Sequence, residues 1–313
     1  MLAMGCGNGS PQTSVQTPTQ KETAVFVETW GDTVGPEDGN FRRPHGIAAS
    51  RDGFVYVADT RNNRIQKFTT DGRFVTKWGS LGSEPGQMNW PHGIGVAPNG
   101  DVVVSDTRNH RVQRFTSDGT LVAVIARDAG EAPLQKPIGL AVGPNGNIFV
   151  CDTGRKRIQK FTGDGVFVTA WGSKGSEPGQ FAVPVDCYVD DDGYVYVTDG
   201  VNHRVQKFTN DGDFVLAFGE FGSGDGQFST PHVPAVRSDG VVFVSDEFNH
   251  RIQIFTSTGD FLGKFGSYGS GPGEFFAPMG VAVDPDGNVY VADSTNHRIH
   301  KWSTWASSGG QRF

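Results

Sequence analysis

Long apolar runs and cysteines are scarce in this sequence of 313 residues. No stretch approaches the roughly 18 consecutive apolar residues that a membrane-spanning helix needs, so none is predicted. Three cysteines, Cys6, Cys151 and Cys187, are too few for a disulfide framework. Basic residues are also outnumbered, with 27 Lys and Arg against 34 Asp and Glu. The resulting net charge of −7 disfavours nucleic acid as the main partner.

The first 22 residues differ in composition from the rest of the chain. Cys6 follows the small residues of MLAMG and precedes a stretch rich in Ser, Thr, Gln and Pro, which cannot build a core. This arrangement resembles the end of a bacterial lipoprotein signal, and an ordinary disordered terminus is the alternative. We interpret residues 1–22 as a tether with Cys6 as a candidate lipidation site. An extracytoplasmic location, in the periplasm or at the cell surface, is therefore expected, with the cytoplasm as the alternative.

One unit recurs six times from about residue 40 to the end of the sequence. The residue after a repeated proline marks each unit, at spacings of 47, 46, 47, 47 and 47 residues. These marker residues are His45, His92, Ile138, Val185, His232 and Met279. Each unit contains four short stretches of alternating apolar and polar residues separated by Gly turns, as in HGIAAS, FVYVAD, RIQKFT and RFVTKWG. Four short antiparallel strands at this period predict the blade of a β-propeller.

The two ends of the sequence each contain part of a unit. The sixth copy stops after its third strand, HRIHKWS, whereas TAVFVETWG at 23–31 is a fourth strand without a unit of its own. We predict that this N-terminal strand completes the last blade and closes the ring. The predicted fold is an all-β, six-bladed propeller over residues 23–303, followed by a flexible tail at 304–313.

The motifs NNRIQKF, NHRVQRF, NHRVQKF, NHRIQIF and NHRIHKW, together with GSEPGQF and PHGI, resemble the NHL repeat of six-bladed β-propellers. The resemblance covers about residues 23–303 and implies the same fold. It does not select a function, because the family includes RNA-binding domains of animal tripartite-motif proteins, bacterial sensor domains and peptidyl-hydroxyglycine amidating lyases.

Residues that recur in every copy are assigned to the structure of the blade. An Asp ends each second strand and an Arg follows five residues later, so the two side chains can pair. The histidines of the NHR motifs belong to the same structural class.

Functional residues are expected where the copies differ. The relevant face is formed by the starts of the first strands and by the loops between the second and third strands. Copies one to three place cations on this face, and we call their part of it the cationic half. Copies four to six place apolar residues on it, and we call their part the apolar half. The cations are Arg43, Arg61, Arg108, Lys136, Arg155 and Lys156, and the apolar residues are Val183, Val185, Val201, Phe248 and Met279.

This division suits a ligand with an anionic end and an apolar body, because guanidinium groups pair well with carboxylates. The ligand is expected to be a peptide, a protein or a small anion. The candidate ligand-binding residues are Arg43, Arg61, Arg108, Lys136, Arg155 and Phe248. Trp90 stands directly before a repeated proline, as Arg43 and Lys136 do, and has no assigned role.

Three marker residues, His45, His92 and His232, raise the question of a metal. Imidazole is a common zinc ligand, and the amidating lyases, which this chain resembles, hold zinc on histidines at such positions. The third alternating marker here is Ile138, and no Tyr occupies the loop positions, so the resemblance is incomplete. We expect His45 and His92 to meet and His232 to stand apart across the channel. A site for zinc or another divalent metal at these histidines is the weaker hypothesis.

The sequence favours a monomeric, non-catalytic propeller that binds its ligand on the half-cationic, half-apolar face. The first alternative is a metal-dependent lyase that uses histidines and arginines at the channel mouth. The second alternative is an RNA-binding NHL domain, which the net charge disfavours and the local basic patch supports.

Overall fold

The computed structural model describes residues 21–31, 33–125 and 133–306. Within these ranges, 24 strands form six antiparallel sheets of four strands each, so the predicted six-bladed propeller is confirmed. No helix in this part of the chain is long and apolar enough to cross a membrane. Cys6 and most of the predicted tether lie outside the described residues.

The strands follow the repeat units. Blades 1 to 3 contain β2 (Ile47–Ala49), β3 (Phe54–Asp59), β4 (Arg64–Thr69), β5 (Phe74–Trp78), β6 (Pro91–Val96), β7 (Val102–Asp106), β8 (Arg111–Phe115), β9 (Leu121–Ile125), β10 (Pro137–Val142), β11 (Ile148–Asp152), β12 (Arg157–Phe161) and β13 (Phe167–Trp171). Blades 4 to 6 contain β14 (Pro184–Val189), β15 (Val195–Asp199), β16 (Arg204–Phe208), β17 (Phe214–Phe218), β18 (Pro231–Val236), β19 (Val242–Asp246), β20 (Arg251–Phe255), β21 (Phe261–Phe265), β22 (Pro278–Val283), β23 (Asn288–Asp293), β24 (Arg298–Ala306) and β1 (Glu22–Trp30). Single 3-10 turns follow the second strand at Thr60–Asn62, Thr107–Asn109, Thr153–Arg155 and Glu247–Asn249.

The N-terminal strand β1 closes the ring, as predicted, by pairing with β24 in blade 6. The pairing runs from Glu22 opposite Ala306 to Trp30 opposite Ile299. It therefore includes residue 22, which was predicted as tether, and residues 304–306, which were predicted as tail. Pairing lengthens both strands beyond their predicted ends, because antiparallel partners satisfy one another's backbone hydrogen bonds.

Side chains of β1 also fasten blade 6 to its neighbours. The Glu22 side chain is fully buried and its carboxylate lies 2.8 Å from a guanidinium nitrogen of Arg237 in blade 5. At the other end of the strand, the Trp30 ring packs against Phe68 of blade 1 and Tyr290 of blade 6, at centroid distances of 5.8 and 5.6 Å. Strand β1 thus joins three blades.

The recurrent Asp and Arg residues pair within every blade, at N–O distances from 2.7 to 3.6 Å. In blade 2, the Arg111 guanidinium bonds Asp106 at 2.7 Å and donates to the Ser83, Glu84 and Gln87 carbonyls at 2.8 Å each. Both charges are buried. Each pair therefore anchors the loop that arrives from the preceding blade, which confirms a structural role.

The NHR histidines hold neighbouring blades together. The Nδ1 atom of His110 accepts a hydrogen bond of 2.9 Å from the backbone N–H of Lys136, and His297 does the same for Arg43. His203 and His250 accept equivalent bonds at 3.2 Å. These rings fix the start of the next first strand and so position the face that carries the candidate site.

Blade 6 departs from the other blades at one buried position. His300 replaces a glutamine that is present in blades 1 to 5. In blade 5, the Gln253 amide donates to the Gln227 carbonyl at 2.7 Å and accepts from the Gly226 N–H at 3.0 Å. Neither ring nitrogen of His300 has a hydrogen-bond partner among the described residues, and burial lowers the pKa of His300 to about 3.

We expect His300→Gln to stabilise the protein by about 1–2 kcal/mol, because the amide restores buried hydrogen bonds. The folded pKa of His300 lies below the unfolded value of about 6.5. The stability due to the neutral ring is thus complete above about pH 6.5 and is lost as the pH falls toward 3. Urea unfolding near pH 7.5 and near pH 5 should show a gain at both values and a larger gain at the lower one. The reverse substitution Gln253→His is the control and should increase acid sensitivity. An unchanged pH dependence in His300→Gln would contradict this account.

Candidate functional site

One end of the propeller, which we call the mouth face, carries the starts of the first strands. Backbone hydrogen bonds tie the loops between second and third strands to these starts, as from Arg61 N–H to the Arg42 carbonyl and from Arg108 N–H to the Asn89 carbonyl. The cationic half of this face consists of residues 33–46, 60–63, 79–92, 107–110, 133–138 and 153–156. The apolar half consists of residues 172–185, 200–203, 219–232, 247–250, 266–279 and 294–297.

Glycines in the first strands make the central channel narrow. A Cβ atom on Gly46 would lie 2.1 Å from the His92 carbonyl oxygen, and one on Gly280 would lie 2.2 Å from the His45 carbonyl oxygen. These backbones can approach so closely only because the side chains are absent. The marker residues just above them are therefore crowded together.

The three marker histidines form one cluster in the channel. His45 Nδ1 lies 2.6 Å from His92 Nε2, a hydrogen bond between the rings. The His232 ring stacks on His92 at a centroid distance of 5.4 Å and lies 6.3 Å from His45. The expectation that His232 stands apart was wrong, because the narrow channel lets residues of distant blades meet.

Burial determines the protonation state of this cluster. It lowers the pKa of His45 to about 3 and that of His232 to about 4, and it keeps the pKa of His92 well below the usual range. All three rings are thus neutral at pH 7. His45 Nε2, His92 Nδ1 and His232 Nδ1 are buried without a hydrogen-bond partner in the described part of the chain.

The cluster does not fit a divalent metal. Two nitrogens that share a zinc ion at about 2.0–2.1 Å in tetrahedral geometry lie roughly 3.3 Å apart, whereas the nearest nitrogens of His45 and His92 are hydrogen-bonded at 2.6 Å. Across the described ranges, no group of three or more His, Cys, Asp and Glu side chains is placed to hold a metal ion. The histidines form a neutral hydrogen-bonding cluster instead.

Two of the predicted arginines meet at an aromatic ring. The Arg108 guanidinium carbon lies 4.2 Å from the Trp90 ring centroid, and that of Arg61 lies 5.3 Å away. No carboxylate in the described residues forms an ion pair with either arginine. These three side chains line a cavity of about 250 Å³ together with Arg42, Asn63, Leu81 and Asn89.

Trp90 links the cavity to the histidine cluster of the channel. The Trp90 ring lies edge-on to His45 at a centroid distance of 6.3 Å, so the arginine site and the histidine cluster are neighbours. Trp90 adopts a left-handed backbone conformation with φ of 63°, and its N–H is held by Asn63 Oδ1 at 2.9 Å. From the sequence, Trp90 was placed next to the marker residues and was given no role. The available signal was its position before a repeated proline, between two arginine loops.

The remaining predicted cations lie elsewhere on the mouth face. Arg155 donates a hydrogen bond to the Pro133 carbonyl, so its guanidinium is already engaged. Lys136 is exposed and does not line the cavity. Arg43 stands at the channel side, where its charge acts on the titration of His45 and Glu247. The structure therefore gathers Arg61 and Arg108 at Trp90 and leaves Arg155 and Lys136 outside.

Glu247 introduces an acid on the same face. Burial raises the pKa of Glu247 to about 7, and the positive charge of Arg43 acts in the opposite direction. This residue opens the 3-10 turn at Glu247–Asn249, where three other blades carry a Thr. Its carboxyl group can therefore hold or release a proton near neutral pH.

The apolar half is more aromatic than predicted. Val185 and Met279 are buried, whereas Phe248 is 59% exposed, as a binding residue would be. Sequence reasoning missed Phe221 and Tyr268, which are 69% and 65% exposed. They pack at a tilt against the rings of His203 and His250 respectively, at centroid distances of 4.8 and 4.9 Å. Both lie two residues after the glycine that follows a fourth strand, and variation at that position among the blades was the signal.

Comparisons with known proteins agree with this architecture. The family described as NHL repeat matches residues 41–68, 88–115, 134–161, 181–208 and 277–302. Protein wech of Drosophila melanogaster is 50% identical over 40 residues, which is 13% of this chain and 5% of that protein. The match therefore concerns only a small part of that relative.

Solved structures of similar shape include enzymes and a binding protein. A streptogramin B lyase has a TM-score of 0.62 at 17% identity and covers 91% of this chain and 98% of its own. A catalytically inactive histidine-to-alanine variant of virginiamycin B lyase from Staphylococcus aureus, with quinupristin, has a TM-score of 0.58 at 19% identity over 83% and 80%. An auxiliary nutrient binding protein from Bacteroides thetaiotaomicron has a TM-score of 0.66 at 14% identity over 91% and 77%. At such identities the likeness concerns the fold alone.

Proposed function

Because the chain is an NHL-repeat six-bladed β-propeller, we propose that it is a binding protein whose mouth face accepts a compact ligand with an anionic end and an apolar body. The observation that carries this proposal is the pair of guanidinium groups at Trp90. Arg61 and Arg108 have no ion-pair partner among the described residues, and the ring beside them offers an apolar surface. A carboxylate would supply the missing charge, and an apolar group could pack on Trp90.

The charge distribution supports a compact ligand. The hairpin turns of the opposite face contain 14 aspartates and three arginines, which accounts for the negative net charge despite the basic patch. The segments of the mouth face also contain acidic residues, among them Glu37 and Glu84 in the cationic half and Glu220 in the apolar half. An extended polyanion such as RNA would meet these carboxylates, so RNA binding is disfavoured relative to a small anion or a peptide terminus.

Charge reversal at Arg108 tests the proposal. N-acetyl-phenylalanine combines a carboxylate with an aromatic body, and its amide lacks the charge. We expect Arg108→Glu to weaken binding of the acid about tenfold or more, because a charge-assisted hydrogen bond contributes about 1.5–3 kcal/mol. Isothermal titration calorimetry measures the affinity, and thermal unfolding of the monomer should be unchanged because the side chain is exposed.

Arg155→Glu is the matched control, since it makes the same charge change on the same face outside the cavity. It should retain most of the affinity. Equal losses in the two variants, or equal binding of the acid and the amide by the unaltered protein, would contradict the proposed site.

A lyase is the second candidate function. The observation in its favour is the neutral histidine cluster on the same face as Glu247, whose pKa of about 7 suits proton transfer at neutral pH. The lyases of similar fold give a concrete substrate to try, and the inactive variant shows that one of them depends on a histidine. Chromatographic detection of quinupristin conversion, lost in His92→Ala, would support this candidate. If quinupristin is not converted, binding remains as the single candidate function.

A further inference from the structure

The two halves of the mouth face carry opposite charge. The described segments of the cationic half contain seven Lys and Arg residues and three Asp and Glu residues, a net charge of +4. The segments of the apolar half contain one Lys and five Asp and Glu residues, a net charge of −4. The mouth face is therefore electrically complementary to itself.

The apolar half also exposes large side chains that a soluble surface rarely groups together. Phe221, Tyr268 and Phe248 are 59–69% exposed, and Phe276 lies 5.4 Å from Tyr268 between ring centroids. Val201 adds an exposed aliphatic group in the same half. Exposed apolar side chains concentrated on one half of a face are typical of interaction sites.

We propose that the mouth face docks onto the mouth face of a second copy of this chain, around a two-fold axis that lies in the plane of the interface. With the axis along the line between the halves, blade 1 faces blade 6 of the other copy, blade 2 faces blade 5 and blade 3 faces blade 4. Each cationic half then covers an apolar half, and every contact occurs twice, as in an isologous dimer.

The side chains in register are complementary. Arg108 of blade 2 comes opposite blade 5 of the other copy, and the loop that enters blade 5 carries Glu220 and Phe221. Lys136 directly precedes blade 3, which comes opposite blade 4, and the loop that enters blade 4 carries Glu177. An arginine can form an ion pair with the glutamate and also stack on the neighbouring ring, an interaction worth about 0.5–2 kcal/mol. Desolvation of the exposed rings supplies the apolar contribution to the interface.

Other occupants fit only one half of the face. A nucleic acid or an anionic membrane would be repelled by the apolar half, which has a net charge of −4. A basic protein would be repelled by the cationic half in the same way. The opposite face, with 14 aspartates and three arginines in its turns, repels a second copy. The second copy at the mouth face satisfies both halves, in place of the monomer expected from the sequence.

Complementary charge swaps test the dimer. One variant carries Arg108→Glu with Lys136→Glu, and the other carries Glu177→Arg with Glu220→Arg. Analytical ultracentrifugation at low salt should find the unaltered protein dimeric and each variant alone at least about tenfold weaker in self-association. An equimolar mixture should form a heterodimer, because both contact regions then pair opposite charges. A monomeric unaltered protein, or variants that do not recover association on mixing, would overturn the proposal.

A separate pair of substitutions keeps this inference distinguishable from the ligand site. Phe221→Ser and Tyr268→Ser change exposed side chains of the apolar half that do not line the cavity beside Trp90. Together they should weaken the dimer about tenfold or more and leave binding of N-acetyl-phenylalanine by the monomer unchanged. Retained dimerisation in this double variant would exclude the proposed interface even if the ligand site is correct.

Discussion

Removal of residues 1–31 is expected to abolish cooperative folding and to cause aggregation. This deletion takes away β1, leaving the backbone groups of β24 unpaired at an exposed sheet edge. It also leaves Arg237 without its buried partner Glu22 and exposes the apolar surface that Trp30 covers between blades 6 and 1. Without β1, the first and last blades of the propeller are no longer held together.

The control for this deletion is the removal of residues 1–20 alone, which leaves β1 intact. Thermal unfolding and size-exclusion chromatography of the two truncated proteins provide the comparison. The shorter deletion should behave like the full chain. A soluble protein lacking 1–31 that unfolds in a single cooperative transition would show that β1 does not close the ring.

Asp106→Ala is expected to destabilise the protein by about 3–5 kcal/mol, the range for removing one partner of a buried ion pair. The Asp106 carboxylate bonds Arg111 at 2.7 Å and accepts the Asn89 N–H at 2.6 Å. Both side chains of the pair are buried, so Arg111 would keep an uncompensated charge. The loop before β6, which Arg111 holds, should loosen as a consequence.

The midpoint of urea unfolding measures this effect. Asp118→Ala is the matched control, because Asp118 is an exposed aspartate in a hairpin turn of the same blade and bonds only its neighbours Thr116 and Thr120. Its midpoint should barely move. Similar midpoints for the two variants would mean that the recurrent pair does not anchor the blade.

The fold was predictable because it is repeated. The spacing of the marker residues and the alternation within each unit specified four strands per blade, and the incomplete units at the two ends specified the closure. The exact ends of the strands were harder to predict from the sequence. Residues 304–306 read as a tail in the sequence, and they form strand only because β1 lies beside them.

The candidate site was only partly predictable, since it depends on how side chains from different blades turn. Arg61 and Arg108 are the second residues after the recurrent Asp and lie at Trp90, whereas Arg155 is the third residue after its Asp and reaches the Pro133 carbonyl. Likewise, the meeting of His232 with His92 depends on the width of the channel, which glycines in other blades determine. Distances across the ring are not encoded in the repeat pattern of a single unit.

A crystal structure of the protein soaked with N-acetyl-phenylalanine tests the central claim most directly. The account predicts that a carboxylate oxygen lies within about 2.7–3.2 Å of a guanidinium nitrogen of Arg61 or Arg108. The phenyl ring should pack against Trp90 in the cavity on the cationic half. Binding of the compound away from this cavity, or ion pairs of both arginines with carboxylates of their own chain, would contradict it.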